Sequence, residues 1–197
     1  MNNEHIKNEL SSLTLSMFRK DFFGIYHGSI SAKLDTNIFT INTKDAIFDT
    51  INEDNLIDLY YKKDYRWKEA SMDASIHLGI YQNISDAKFI AFTMPPYTTA
   101  YSLDHSVIIP QDFFGCQELG RIPIYDPKQF DDWYDRASSE IPYYFSQNNT
   151  NIIIIKGYGV YSFNRDLSQM AKQLAILEKS CRLLMLDSNS AKLDLDF

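Results

Sequence analysis

The chain has 197 residues, 45% of them hydrophobic, with 13 tyrosines, 13 phenylalanines and a formal net charge of −7. This composition describes a folded chain with room for one substantial core, and it excludes a disordered or fibrous protein. The acidic balance and the lack of a basic patch exclude nucleic acid as a partner. No apolar run approaches the length of a membrane span. The polar start, Met1 to Lys7, lacks the apolar centre of a signal peptide. Cys116 and Cys181 belong to no Cys-x-x-Cys pair, so both read as reduced, buried thiols of a cytoplasmic protein.

In chain order, Ile6, Leu10, Leu13 and Met17 fall on one stripe, which predicts a helix over 3–20 capped by Asn2 or Asn3. From Ile25 the period shortens. Ile25 to Leu34, a turn at Asp35-Thr36-Asn37 and Ile38 to Ile41 read as a hairpin. Asn52-Glu53-Asp54 starts a helical turn, and Leu56 to Tyr61 is a further strand. Ser71 is a natural N-cap for a helix whose face carries Met72, Ile76 and Ile80. Ala87 to Thr93 is a buried strand stopped by Pro95-Pro96, and Ser106 to Ile109 is a short one.

Asp126-Pro127 has the form of a helix start, with Phe130, Trp133, Tyr134 and Ala137 on the buried face. Ser138 opens a second short helix. Ile152 to Ile155 is too short and too branched for a helix and reads as a central strand. Gly157 to Tyr161 turns into another strand. Leu167, Met170, Leu174, Leu177, Cys181 and Leu184 mark a helix over 166–186. The whole is read as one domain, 1–197, with its core over 10–186 and a polar tail at 187–197.

Five segments in this order resemble the class II aldolase/adducin family. They are Gly28-Ser29-Ile30-Ser31-Ala32-Lys33, Phe39-Thr40-Ile41-Asn42-Thr43-Lys44, and the Ser71 to Tyr81 stretch with Asp73 and His77. The fourth is Phe92-Thr93-Met94-Pro95-Pro96-Tyr97. The fifth is Ile152 to Val160, followed by a helix holding Leu177-Glu178. The resemblance implies an α/β fold, a three-layer αβα sandwich around a central mixed, largely antiparallel sheet. It also implies a homo-oligomer, a tetramer in most of the family.

In active members the resemblance implies three histidines on a divalent metal, usually zinc, with a glutamate as acid/base. The metal positions here are Phe92, Met94 and Tyr158. Phenylalanine offers no donor, methionine a soft thioether, and tyrosine rarely serves zinc. Asp73 stands at the glutamate position, either as a displaced general base or as an acid favouring its own helix N-terminus. Ser29, Thr43 and Ser71 stand where the family binds a phosphate or carboxylate, a role suited to hydroxyls and free amides at a helix start.

These changes give a first expectation: a pseudoenzyme without a cofactor that binds a small anionic or sugar-phosphate ligand or associates with protein. One alternative is an active, metal-dependent aldehyde-lyase or epimerase on small phosphorylated sugars, with a rebuilt site drawing on Asp73, His77 and His105. Another is metal-independent acid/base chemistry by Asp73 with Tyr158 or Tyr97.

Overall fold

The computed structural model describes residues 3–193, so Asn2 and the last four residues of the expected tail lie outside the described residues. The chain opens with helix α1 (Asn3–Phe18), then strands β1 (Ser29–Asp35), β2 (Ile38–Asn42) and β3 (Leu56–Tyr60). Helix α2 (Ala74–Asn83), strand β4 (Phe89–Thr93) and helix α3 (Pro96–Asp104) follow. Next come β5 (Val107–Ile108), α4 (Phe113–Glu118), β6 (Ile122–Tyr125) and α5 (Trp133–Asn148). Strands β7 (Ile152–Ile155) and β8 (Gly159–Asn164) lead into the long α6 (Leu167–Leu193).

The strands form one eight-stranded sheet in the order β3-β2-β1-β4-β8-β7-β6-β5. Only β6 and β7 pair in parallel; the other pairs are antiparallel. Alternation along each strand divides the core in two. Ile30, Ala32, Ala91, Ile154 and Val160 pack with α1 and α6 on one face. Phe39, Ile41, Ile90, Phe92, Ile153 and Tyr161 pack with α2 and α5 on the other. The three-layer αβα arrangement with a mixed, largely antiparallel sheet is therefore present.

Several boundaries differ from the sequence reading. Helix α2 begins at Ala74, and Met72 lies outside it, 72% exposed. The Asp126-Pro127 pair starts no helix; the Asp126 carboxylate instead accepts from the Lys128 amide in a turn. A single helix, α5, runs through Pro142 where two short ones were expected. Helices α3 and α4 were not foreseen after the Pro-Pro stop. At α3 the Glu178 carboxylate, reaching over from α6, accepts from the amides of Tyr97 and Thr98 and from the Thr98 hydroxyl. That supplies the first-turn partners a helix start needs. Helix α6 continues to Leu193, past the expected end at Leu186. Cys181 is buried as expected, whereas Cys116 is exposed.

Pro142 has no amide hydrogen, so the Ser138 carbonyl has no partner four residues on. Gly79 of α2 packs against that oxygen, and a Cβ there would lie 2.1 Å from it. Gly79→Ala improves helix propensity yet forces the two helices apart. It is expected to destabilise by about 1–3 kcal/mol, read as a lower urea midpoint with the slope unchanged.

Candidate functional site

Strands β4 and β8 run antiparallel with Phe92 opposite Tyr161. Gly159 holds a φ of +149°, and a Cβ there would meet the Thr93 carbonyl at 2.5 Å and the Phe92 ring at 2.7 Å. Only glycine permits this close approach at the head of β8. The rings around it stack: Phe92 lies 4.6 Å from Tyr161 and 4.9 Å from Tyr158, centroid to centroid. Phe130 stacks on Tyr158 at 5.7 Å, and the Tyr158 hydroxyl donates to that of Tyr134 at 3.1 Å.

Beside this stack lies a cleft of about 310 Å³, lined among others by Tyr26, Lys44, Ser71, Asp73, Met94 and Tyr158. Asp73 is buried. The Ser29 hydroxyl donates to its Oδ2 at 2.7 Å and the Tyr161 hydroxyl to its Oδ1 at 3.1 Å. The Asp73 amide donates to Ser71 Oγ at 3.3 Å. Deeper still, Ser29 Oγ lies 2.9 Å from His77 Nε2, and Ser31 Oγ lies 2.7 Å from His77 Nδ1 and 2.7 Å from the Tyr81 hydroxyl.

Burial pushes the Asp73 carboxyl above its ordinary range, and the hydrogen bonds from Ser29 and Tyr161 pull it back toward ionisation. Desolvation raises Tyr158 and Tyr161 first, with the Asp73 charge adding to the effect. His77, fully enclosed, is pushed down to about 3 by burial, so it is neutral at working pH. Asp73 makes no ion pair with a lysine or arginine among the described residues.

The fold thus brings Ser29, Ser71 and Asp73 together. Thr43 stands apart from the cleft lining, bridged to Ala70. The amides of Thr43, Lys44 and Ser71 are all donated to carbonyls, of Asn55, Glu69 and Asn42. Lys44 also lines the cleft; its Nζ donates to the Lys68 carbonyl and pairs with the Glu69 carboxylate at 3.4 Å. Asp73 occupies the N-cap position of α2, yet its carboxylate caps nothing and turns to Ser29 and Tyr161. The sequence reading names His77, Ser31 and Tyr81 within its motifs but not the row that joins them, and it misses Tyr161 as the partner of Asp73. The available signal was serine at alternate positions 29 and 31 of an otherwise apolar strand.

A sequence profile described as the class II aldolase and adducin N-terminal domain matches residues 8–185. The chain belongs to this family. It is 19% identical over 163 residues to the L-fuculose phosphate aldolase of Methanocaldococcus jannaschii, covering 81% of this chain and 84% of that one. Among solved structures it resembles the L-fuculose-1-phosphate aldolase of Thermus thermophilus, with a TM-score of 0.81 and 16% identity. That match covers 92% of this chain and 94% of the other. The sugar-phosphate aldolase of Thermotoga maritima matches at a TM-score of 0.69 and 12% identity, over the same shares. At such identities the structural likeness shows the fold.

Membership corrects one expectation, that of a protein without a cofactor. A class II aldolase family implies a divalent metal, zinc in its active members, and the relatives found are aldolases. The pseudoenzyme reading draws no support from them. The side chains at the family's metal positions nevertheless do not fit that ion. Phe92 is packed between Tyr158 and Tyr161, and Met94 and Tyr158 bring no nitrogen or thiolate. Among the described residues no group of three His, Cys, Asp or Glu stands together as a ligand set. The rebuilt site with His105 is not formed either: His105 stacks on Tyr101 at 3.8 Å, exposed after α3. Among the described residues no helix is long and apolar enough to cross a membrane.

Because the folded chain holds His77 neutral and the unfolded chain protonates it near 6.5, the unfolded state binds the extra proton between pH 6.5 and about 3. Stability therefore falls as pH drops through that window, by up to about 1.4 kcal/mol per pH unit from this residue. Asp73, shifted upward, has the opposite slope. Comparing urea unfolding of the wild type with His77→Gln isolates the histidine: their difference in stability should shift against the wild type below pH 6.5 and stay level above it.

Proposed function

We propose that the chain holds a sugar-phosphate-type ligand in the cleft and exchanges a proton with it through Asp73. The observation that carries this reading is a buried carboxylate beside a cleft, held by hydroxyl donors on both oxygens and by no ion pair among the described residues. Burial raises such a group above the ordinary carboxylate range, and it sits within reach of a bound ligand's hydroxyl or acidic C–H. Ser29 and Ser71 position it. Lys44 at the cleft lining, exposed and only loosely paired with Glu69 at 3.4 Å, supplies the positive charge that a phosphate needs. The names of the relatives supply the substrate class. No step is routed through a metal, because the residues at the family's metal positions do not offer one a seat.

The reading includes self-association. Tyr26 and Met72 beside the cleft, and Phe113 and Phe114 on α4, are large, apolar and exposed in the single chain, the kind of surface a second copy covers. Light scattering is expected to show an oligomer.

Thermal shift with L-fuculose 1-phosphate, dihydroxyacetone phosphate and inorganic phosphate tests the site. A ligand at a hundred times its Kd stabilises by about 2.7 kcal/mol, which for a chain of this size is about 5–10 °C. A sugar phosphate is expected to reach that shift and inorganic phosphate to fall well short. Asp73→Asn should abolish exchange of the ligand's C–H protons into heavy water. No shift with either sugar phosphate would overturn the proposal.

A further inference from the structure

We propose that His77 is a positioning residue for Asp73. Its Nε2–H form gives direction to a buried row of hydrogen bonds running Tyr81, Ser31, His77, Ser29, Asp73, with every proton pointing toward the carboxylate. The functional meaning of the row rests on the proton-exchange reading of Asp73; its direction follows from the hydrogen-bond distances with Asp73 ionised.

An ionised carboxylate only accepts, and a serine has one hydroxyl hydrogen. Ser29 gives that hydrogen to Asp73 Oδ2 at 2.7 Å. Its oxygen is then left to accept, so His77 Nε2, 2.9 Å away, must carry a hydrogen. A neutral imidazole has one N–H, so Nδ1 is the acceptor and the Ser31 hydroxyl donates to it at 2.7 Å. Ser31 has spent its hydrogen and accepts from the Tyr81 hydroxyl at 2.7 Å. The other acceptor within reach of Tyr81 is the Lys88 carbonyl, at a long 3.4 Å, and it already takes the Lys33 amide at 2.7 Å.

Each link polarises the next, so the row strengthens as a whole. It keeps the Ser29 hydroxyl from turning away and leaves the carboxylate gripped at both oxygens. His77 contributes direction without charge, since burial keeps it neutral. A proton placed on Asp73 Oδ2 would demand the reverse polarity, with His77 protonated on Nδ1.

The two polarities are distinguished by 15N NMR of histidine-labelled protein at neutral pH. The Nε2–H form of His77 is expected in the wild type. In Asp73→Ala, Ser29 loses its acceptor and turns its hydrogen toward Nε2. The population should then move toward Nδ1–H by about tenfold, the scale of one net hydrogen bond. A histidine that merely fills space would not respond to loss of a carboxylate to which its ring makes no hydrogen bond. Nδ1–H in the wild type, or an unchanged distribution in a folded Asp73→Ala variant, would overturn the proposal.

If Asp73→Ala does not fold, two conservative variants carry the test. Gln at position 77 can place a donor where Nε2 stood, and Asn cannot reach it. Affinity for L-fuculose 1-phosphate should stay within about threefold in His77→Gln and fall about tenfold in His77→Asn; equal losses would contradict the role. A wild type that shows Nε2–H yet binds no sugar phosphate would count against the ligand reading and leave the row's direction standing.

Discussion

The constraint on which the site depends is that polar groups placed inside a core must find partners there. Strand β1 lies inside the sheet, with α1 and α6 packed on one face and α2 and α5 on the other, so both its faces are covered. One face carries Ile30 and Ala32 toward α1 and α6. The other carries Ser29 and Ser31, fully buried. Two hydroxyls there would be costly unless something polar met them, and α2 meets them with Asp73, His77 and Tyr81. Their spacing of four residues puts them on one stripe of the helix. Sheet and helix are thus matched residue by residue through polar contacts, and the carboxylate at the upper end of that stripe opens to the cleft.

The opposite wall follows a different logic. At the positions where the family resemblance implies metal histidines, this chain stacks rings. Phe92 and Tyr161 are cross-strand partners, and Gly159 lets the head of β8 come close enough for Tyr158 to join them. Stacked rings exclude water, and burial raises the pKa of Asp73 while Tyr161 returns a hydrogen bond. The site therefore combines an apolar wall with a carboxylate that burial raises and that hydroxyls, rather than a cation, hold.

Much of the fold was legible because its signals are local. The stripe of Leu167, Met170, Leu174 and Leu177, the branched run Ile152 to Ile155 and the turn at Asp35-Thr36-Asn37 each announce themselves by period or by turn chemistry. The family resemblance added the order of layers. What could not be read depended on distant partners. Helix α3 is started by Glu178 from the other end of the chain, and the Ser138 carbonyl, which Pro142 leaves without its helical donor, faces Gly79 of α2. The site shows the same divide. Asp73 was found by its place in a motif, but its partner Tyr161 is 88 positions away, and the amides expected to cradle an anion are consumed by carbonyls that sequence alone does not bring near.

The central claim is that Asp73, at the cleft, is the group that meets a bound sugar phosphate. A crystal structure with L-fuculose 1-phosphate soaked in tests it most directly. The account predicts a ligand hydroxyl or the carbon chain against the Asp73 carboxylate, with the phosphate toward Lys44. A ligand seated in the polar groove between α2 and α5, lined by Ser75, Gln82, Ser139 and Tyr143, with the Asp73 cleft left to solvent, would contradict it.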